Sequence, residues 1–251
     1  MATLERCVIL VKAWPQPSRK YIETVCCAGV TPDGAWRRLF PIRFRHLDGA
    51  RQFKRWDIIE YEPQRPNDDR RAESRRVNEP TLHVVGALPE PERERLLRPL
   101  MRSSEAEAAS RGESLALVRP RNVKFKCRRK TAQRIEAERL ALLAASAQGS
   151  LFDKELAALE PCPYAMALRF DDASGGHLMQ CSDWETRAAF FHLRPQYGEA
   201  AALEHLRKSY EEDYLKRGLA LALGTMKKRP RQWLLLGILR VDEPSQGDLF
   251  S

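Results

Sequence analysis

The chain has 251 residues, 43% of them hydrophobic, which is enough for one large domain or two small ones. Its 43 Lys and Arg against 34 Asp and Glu leave a formal charge of +9, which favours a polyanionic partner, with a solvated basic surface as the plainer alternative. No stretch approaches the roughly 20 apolar residues of a membrane helix, and the apolar run at 7–11 is too short for a signal-peptide core, so the sequence predicts a soluble, cytoplasmic protein with no membrane partner.

The first ninety residues read as short strands separated by turns. Strands are expected at 7–13, 21–30, 36–42, 56–61 and 82–88, with Pro32-Asp33-Gly34 as the turn between the second and third. The Arg-rich stretch 63–78 reads as polar loop. A helix is expected at 90–101 with Pro91 in its first turn, then a loop at 103–113. The extended segment 115–127 alternates, placing Val123 and Phe125 on one side and Lys124 and Lys126 on the other. Thr131 is positioned to cap a helix to 145, and a short helix is expected at 154–159. Runs 164–170 and 177–181 predict a hairpin, followed by a helix from Ser182 with Glu185 at capping-box spacing. Pro195 and Gly198 should break that helix before a longer one at 199–217. A second hairpin, 219–226 with 233–241, closes the pattern across a turn at 227–232.

These elements predict an α+β fold: an OB-like small barrel in 1–90, a helical and extended connection in 91–160, a second β-rich unit, OB-like or ββααββ, in 161–242, and a flexible tail in 243–251. An SH3-like barrel would give a similar string of five strands. The six cysteines (7, 26, 27, 127, 162 and 181) sit mostly in apolar runs, which fits reduced thiols better than a disulfide framework.

The run Tyr21-Ile22-Glu23-Thr24-Val25-Cys26-Cys27-Ala28-Gly29-Val30 leads through Asp33-Gly34 into Trp36-Arg37-Arg38-Leu39-Phe40-Pro41-Ile42. Phe53-Lys54-Arg55-Trp56-Asp57 and Ile58-Ile59-Glu60 follow. This pattern of a short strand, an Ala-Gly step, a Gly-Trp-like turn and a Pro-Ile strand end resembles bacterial proteins described as dual-OB-containing. Here Ala35 intrudes between Gly34 and Trp36. The resemblance spans the first ninety residues, and in the second half it rests on Asp183-Trp184-Glu185, Leu223-Gly224-Thr225 and Gly237. It implies nucleic-acid-binding barrels and brings no reaction or cofactor with it.

Two short peptides, Gln148-Gly149-Ser150-Leu151-Phe152 and Gln246-Gly247-Asp248-Leu249-Phe250, share Gln, a free position, a small polar residue and Leu-Phe. They resemble the peptide by which bacterial replication and repair proteins dock on the DNA sliding clamp. Such a peptide binds in extended form, with Leu and Phe filling a preformed apolar pocket and the Gln amide fixing its register. The resemblance assigns these roles to Gln246, Asp248, Leu249 and Phe250, and to Gln148, Leu151 and Phe152. The internal copy has an alternative role as a staple between helices.

Nucleic-acid contact is expected from cations that track phosphates. The candidates are Arg37, Arg38, Arg70, Arg71, Arg75 and Arg76, then Lys124, Lys126, Arg128, Arg129 and Lys130, then Lys227, Lys228, Arg229 and Arg231 at a hairpin tip. Trp36, Phe40 and Trp56 are stacking candidates or, more simply, core. A zinc set of Cys127, Cys162, His177 and Cys181 lacks the two close pairs of zinc sites, so no metal is expected. Asp171, Asp172, Asp183 and Glu185 fit a hairpin turn and a helix start, and no catalytic residue is assigned. The reading that follows is a DNA-binding accessory protein, with single-stranded DNA or RNA as alternative targets, recruited to the sliding clamp in replication, repair or phage defence. A metal-dependent nuclease or other nucleic-acid-processing enzyme of a conflict system is the alternative.

Overall fold

In the computed structural model, residues 3–14, 16–18, 22–66, 69–146 and 159–242 are described. The first strand, β1 (Glu5–Lys12), is buried at every position from Cys7 onwards. An apolar run without alternation is what a strand covered on both faces requires. It pairs antiparallel with β3 (Ile22–Val30), which also carries the short β2 (Gln16–Ser18) on its edge. β4 (Trp36–Ile42) extends the sheet on that side, and β5 (Asp57–Tyr61) pairs with β1 on the other. β6 (Pro63–Gln64), β7 (Ser74–Val77) and β8 (His83–Ala87) complete the order β6-β7-β4-β3-β1-β5-β8. Register breaks at Ile9/Val11, Val25/Cys27 and Ile58/Ile59 add local bend and twist, and the sheet curls into a half-barrel.

Inside the curl lie Cys7, Ile9, Cys27, Leu39, Phe53, Ile59 and Tyr61. Gly29 lets β3 approach β1, since a Cβ there would stand 2.3 Å from the Val8 carbonyl oxygen and 2.5 Å from Cys7 Sγ. The Ala-Gly step is therefore a packing requirement.

From residue 90 the chain forms α1 (Glu90–Leu97), β9 (Met101–Arg102), α2 (Glu105–Ser110), β10 (Leu115–Val118), β11 (Arg121–Arg129) and α3 (Ala132–Ser146). Then come β12 (Tyr164–Asp172), β13 (Gly175–Gln180), α4 (Trp184–Lys208), α5 (Tyr214–Lys216), β14 (Leu219–Met226) and β15 (Arg229–Arg240). The strands make two more sheets, β15-β14-β10-β9 and β11-β12-β13. The first packs on the outer face of the half-barrel: Val8, Leu10, Ala28 and Val30 share one apolar cluster with Leu115, Leu117, Ala220, Ala222, Leu239 and Val241. The second closes with α4 around Phe125, Leu168, Phe170, Phe190, Leu206 and Tyr210.

The α+β, strand-rich class is as expected, and so are the turn at 31–35, the Thr131 cap, whose Oγ1 accepts from the Arg134 N–H at 3.3 Å, and both hairpins. Several elements differ. The stretch 63–78 contains β6 and β7, each too short to show a period. The expected loop at 103–113 contains α2, capped by Ser104, whose side chain accepts from the Glu107 N–H. The segment 115–127 is two strands in different sheets, β10 and β11, separated at 119–120. Ser182 does not cap α4; its N–H donates to Leu235 O, and Asp183 stands at the cap position. Pro195 lies within α4, and the helical path departs only at Gly198, where φ is 82° and ψ 164°. The expected helix at 199–217 becomes the end of α4, a wide π turn at Ser209–Asp213 and α5. In the second hairpin the strand starts at Arg229, leaving only Lys227 and Lys228 in the turn. No helix among the described residues is long and apolar enough to cross a membrane.

Candidate nucleic-acid interface

Several of the expected phosphate-binding arginines are engaged within the fold. Arg37 is paired with Glu5 at 2.7 Å. Arg38 reaches from β4 to Glu73 at 3.2 Å and to Ser114 just before β10; burial lowers its pKa to about 10. Arg71 holds Asp69 at 2.6 Å and donates to the Thr225 carbonyl in β14 at 3.1 Å. Arg75 donates to the carbonyls of Ala72 and Ser74. Arg70 and Arg76 are exposed. Because Arg71 is tied to Thr225, the loop that carries Arg70 lies against the end of β14, close in the chain to the exposed Lys227, Lys228, Arg229 and Arg231. Arg229 also donates to Gln232.

The third cluster is sorted by strand alternation. In β11, Val123 and Phe125 are buried while Lys124, Lys126 and Arg128 are exposed. Lys130 is folded back onto Glu138 at 2.6 Å, and Arg129 pairs with Glu199 at 3.1 Å and lies over the Tyr164 ring. Across the ladder, Lys124 faces Arg169, Lys126 faces Ala167 and Arg128 faces Ala165. Directly opposed residues share one sheet face, so the outer face presents four cations, Lys124, Lys126, Arg128 and Arg169, with alanines opposite two of them. β13 adds Gln180 and Leu178, the latter 69% exposed. Lys124 and Arg169 are like charges placed directly opposite, an arrangement that opposes pairing unless an anion is near. Glu211 supplies one such anion, 3.0 Å from Lys124, and it also accepts the N–H of Phe125. Arg169 and Leu178 were missed in the sequence, since neither belongs to a charge run; the hairpin register brings them to the face.

The aromatic candidates divide. Trp56 is buried beneath the Arg93 guanidinium at 4.6 Å, Trp36 is half-buried, and Phe40 is 40% exposed. The clamp-like peptides, Gln148, Leu151 and Phe152 with Gln246, Asp248, Leu249 and Phe250, lie outside the described residues, as does most of the short helix expected at 154–159.

The carboxylates considered for a nuclease do not converge. Asp183 is buried and paired with Arg55 at 2.8 Å, while Glu185 meets Lys12 at 3.1 Å. Asp171 accepts from Asn122. All six cysteines are unbridged; Cys162 and Cys181 are buried in the apolar cluster under α4, and burial pushes the Cys181 thiol up to about 11. His177 meets none of the cysteines. Its Nε2 lies 2.9 Å from Asp172 and 3.4 Å from Glu105.

Comparison with curated proteins gives no match. Among solved structures, a chain of the replication protein A heterotrimer bound to ssDNA aligns with 95% of this chain at 11% identity and a TM-score of 0.26. This chain spans 65% of that chain's length, and a likeness at that score carries no argument about fold or activity. Residues 3–103 match the family model Domain of unknown function (DUF8758). Residues 100–251, more than half of the chain, match Domain of unknown function (DUF8757), and the protein belongs to that family.

Proposed function

We propose that this protein binds nucleic acid through the outer face of β11 and β12 and is brought to DNA by its two clamp-like peptides. The observation that carries the reading is the alignment of Lys124, Lys126, Arg128 and Arg169 on one sheet face, with the small Ala167 and Ala165 opposite Lys126 and Arg128. Cations alternating along a strand stand about 6.7 Å apart, so their charge runs as a line suited to a polyanion backbone. The hairpin tip with Lys228, Arg229 and Arg231, beside the loop of Arg70, forms a second basic patch. An OB-like assignment for the half-barrel is supported by its antiparallel path β4-β3-β1-β5-β8, with β1 central.

The reading is tested by fluorescence anisotropy with labelled single-stranded DNA across a salt series. Lys126 and Arg128 point away from the core, so K126A/R128A leaves the fold intact. It should weaken binding about tenfold and lower the slope of log K against log salt by about 1.4, near 0.7 per lost phosphate contact. Unchanged affinity and slope would remove the sheet face from the proposal. A parallel measurement uses purified bacterial clamp. Deleting residues 246–251 together with L151A and F152A should abolish that binding, and undiminished binding would overturn the recruitment half.

A further inference from the structure

Glu105 begins α2, Asp172 ends β12 and His177 lies in β13, yet their ligand atoms all fall within 4.8 Å of one another. His177 Nε2 faces both carboxylates, 2.9 Å from Asp172 Oδ1 and 3.4 Å from Glu105 Oε2. A neutral imidazole nitrogen offers one hydrogen at most, so it does not satisfy two carboxylates by ordinary hydrogen bonding. The ring is held in plane by stacking on Phe170, with centroids 4.9 Å apart.

Asp172 supplies an independent sign that a ligand belongs here. Its side chain is fully buried. Oδ1 accepts from the Ser174 N–H and Oγ, both at 2.8 Å, while Oδ2 has no hydrogen-bond partner. A buried carboxylate oxygen without a donor is costly and rare in a folded protein. A cation bound by both Asp172 oxygens would remove that cost.

We propose that Glu105, Asp172 and His177 together bind one divalent transition-metal ion, of the Zn2+ or Mn2+ class. The spacing suits it: with metal–ligand bonds of about 2.1 Å, neighbouring ligand atoms stand about 3.0 Å apart in an octahedral site and about 3.4 Å in a tetrahedral one. Two carboxylates and one neutral imidazole carry the charge that a dication balances, and the imidazole favours a transition metal over Ca2+ or Mg2+. Three protein ligands leave positions for water on the metal. Ser174 Oγ, 3.2 Å from Glu105 and 3.4 Å from His177, borders that space. The ion would also clamp α2 to the β12–β13 turn, where the Ala173 N–H already donates to Ser103 O at 3.0 Å.

The experiment is calorimetric titration of the chelator-stripped full chain with Zn2+ and, separately, Mn2+, in the absence of nucleic acid, so its outcome does not depend on the DNA-binding reading. One ion per chain is expected, at least tenfold weaker in E105Q and H177Q. Glu105 sits at the edge of the cluster, so E105Q, with its fold checked by circular dichroism, tests the site even if a change at the buried Asp172 prevents folding. If wild-type protein takes up neither ion stoichiometrically, or binds equally well in E105Q and H177Q, the metal site is overturned and the cluster is a hydrogen-bonded network only.

Discussion

A buried carboxylate is tolerated where a cation meets it, and Asp183 is met by Arg55 at 2.8 Å. The guanidinium also donates to the Ile238 carbonyl at 2.6 Å, and Thr186 Oγ1 donates to the other Asp183 oxygen at 3.2 Å. Burial pushes the Asp183 carboxyl up, and Arg55 opposes it. D183N removes one partner and strands the other, which typically costs about 3–5 kcal/mol. Urea unfolding of D183N should show that loss, and D183N/R55M should recover part of it because no charge is left alone. Recovery of nothing would mean that hydrogen bonds, rather than charge, make the link. In the sequence, Asp183 fits a helix start, and Arg55 lies in a run that marks no partner for it. Their 128-residue separation hid the pair, since no local pattern marks a partner that far away.

At the scale of elements, the loop leading into β7 is organised by Asp69, which accepts from Arg71 and from Ser74 Oγ at 2.8 Å. Burial alone would raise the Asp69 carboxyl; the hydrogen bonds from Arg71 and Ser74 outweigh it and bring the pKa to about 2. An acid held below its unfolded value of about 3.9 contributes stability above that pH, and the contribution fades as pH falls towards 2. Solvent screens this partly exposed pair, so the stability difference between wild type and D69N should be about 1 kcal/mol at pH 6 and close between pH 4 and pH 2. A gap that stays constant with pH would place its origin in packing instead. Legibility at this scale follows length. Long alternating segments such as β11, and helices with a cap such as α3, were readable from their periods. β6, with two residues, and α2, with six, have no room for one. The α2 signal that did exist was Ser104 three residues before Glu107, obscured by the polar composition around it.

At the scale of the whole molecule, strand positions were more legible than strand partners. The two C-terminal hairpins, read as one ββααββ unit, belong to different sheets, one completed by β11 and the other by β10 and β9. Pairing is decided by apolar surfaces meeting across long separations, and the sequence shows only which side of each strand is apolar. β1 was visible as a strand with an apolar run at 7–11, but not what covers its two faces. That cover is β10, β14 and β15, so a fragment of residues 3–103 would expose Val8, Leu10, Ala28 and Val30. Expressed alone, it should bind a hydrophobic dye or aggregate, and co-expression with residues 100–251 should restore a soluble pair. A monomeric, dye-silent fragment would show that the half-barrel closes by itself.

The shared cover has a consequence for heredity. Two sequence families meet near residue 100, and the boundary looks like a place where modules could be exchanged. Yet the apolar back of β1 is lined by residues from beyond that boundary. A recombination event that joined the first stretch to an unrelated successor would inherit an uncovered sheet. Only successors that bring a matching apolar face can follow it, so the junction is filtered by complementarity between two surfaces, however freely the chain can be cut there.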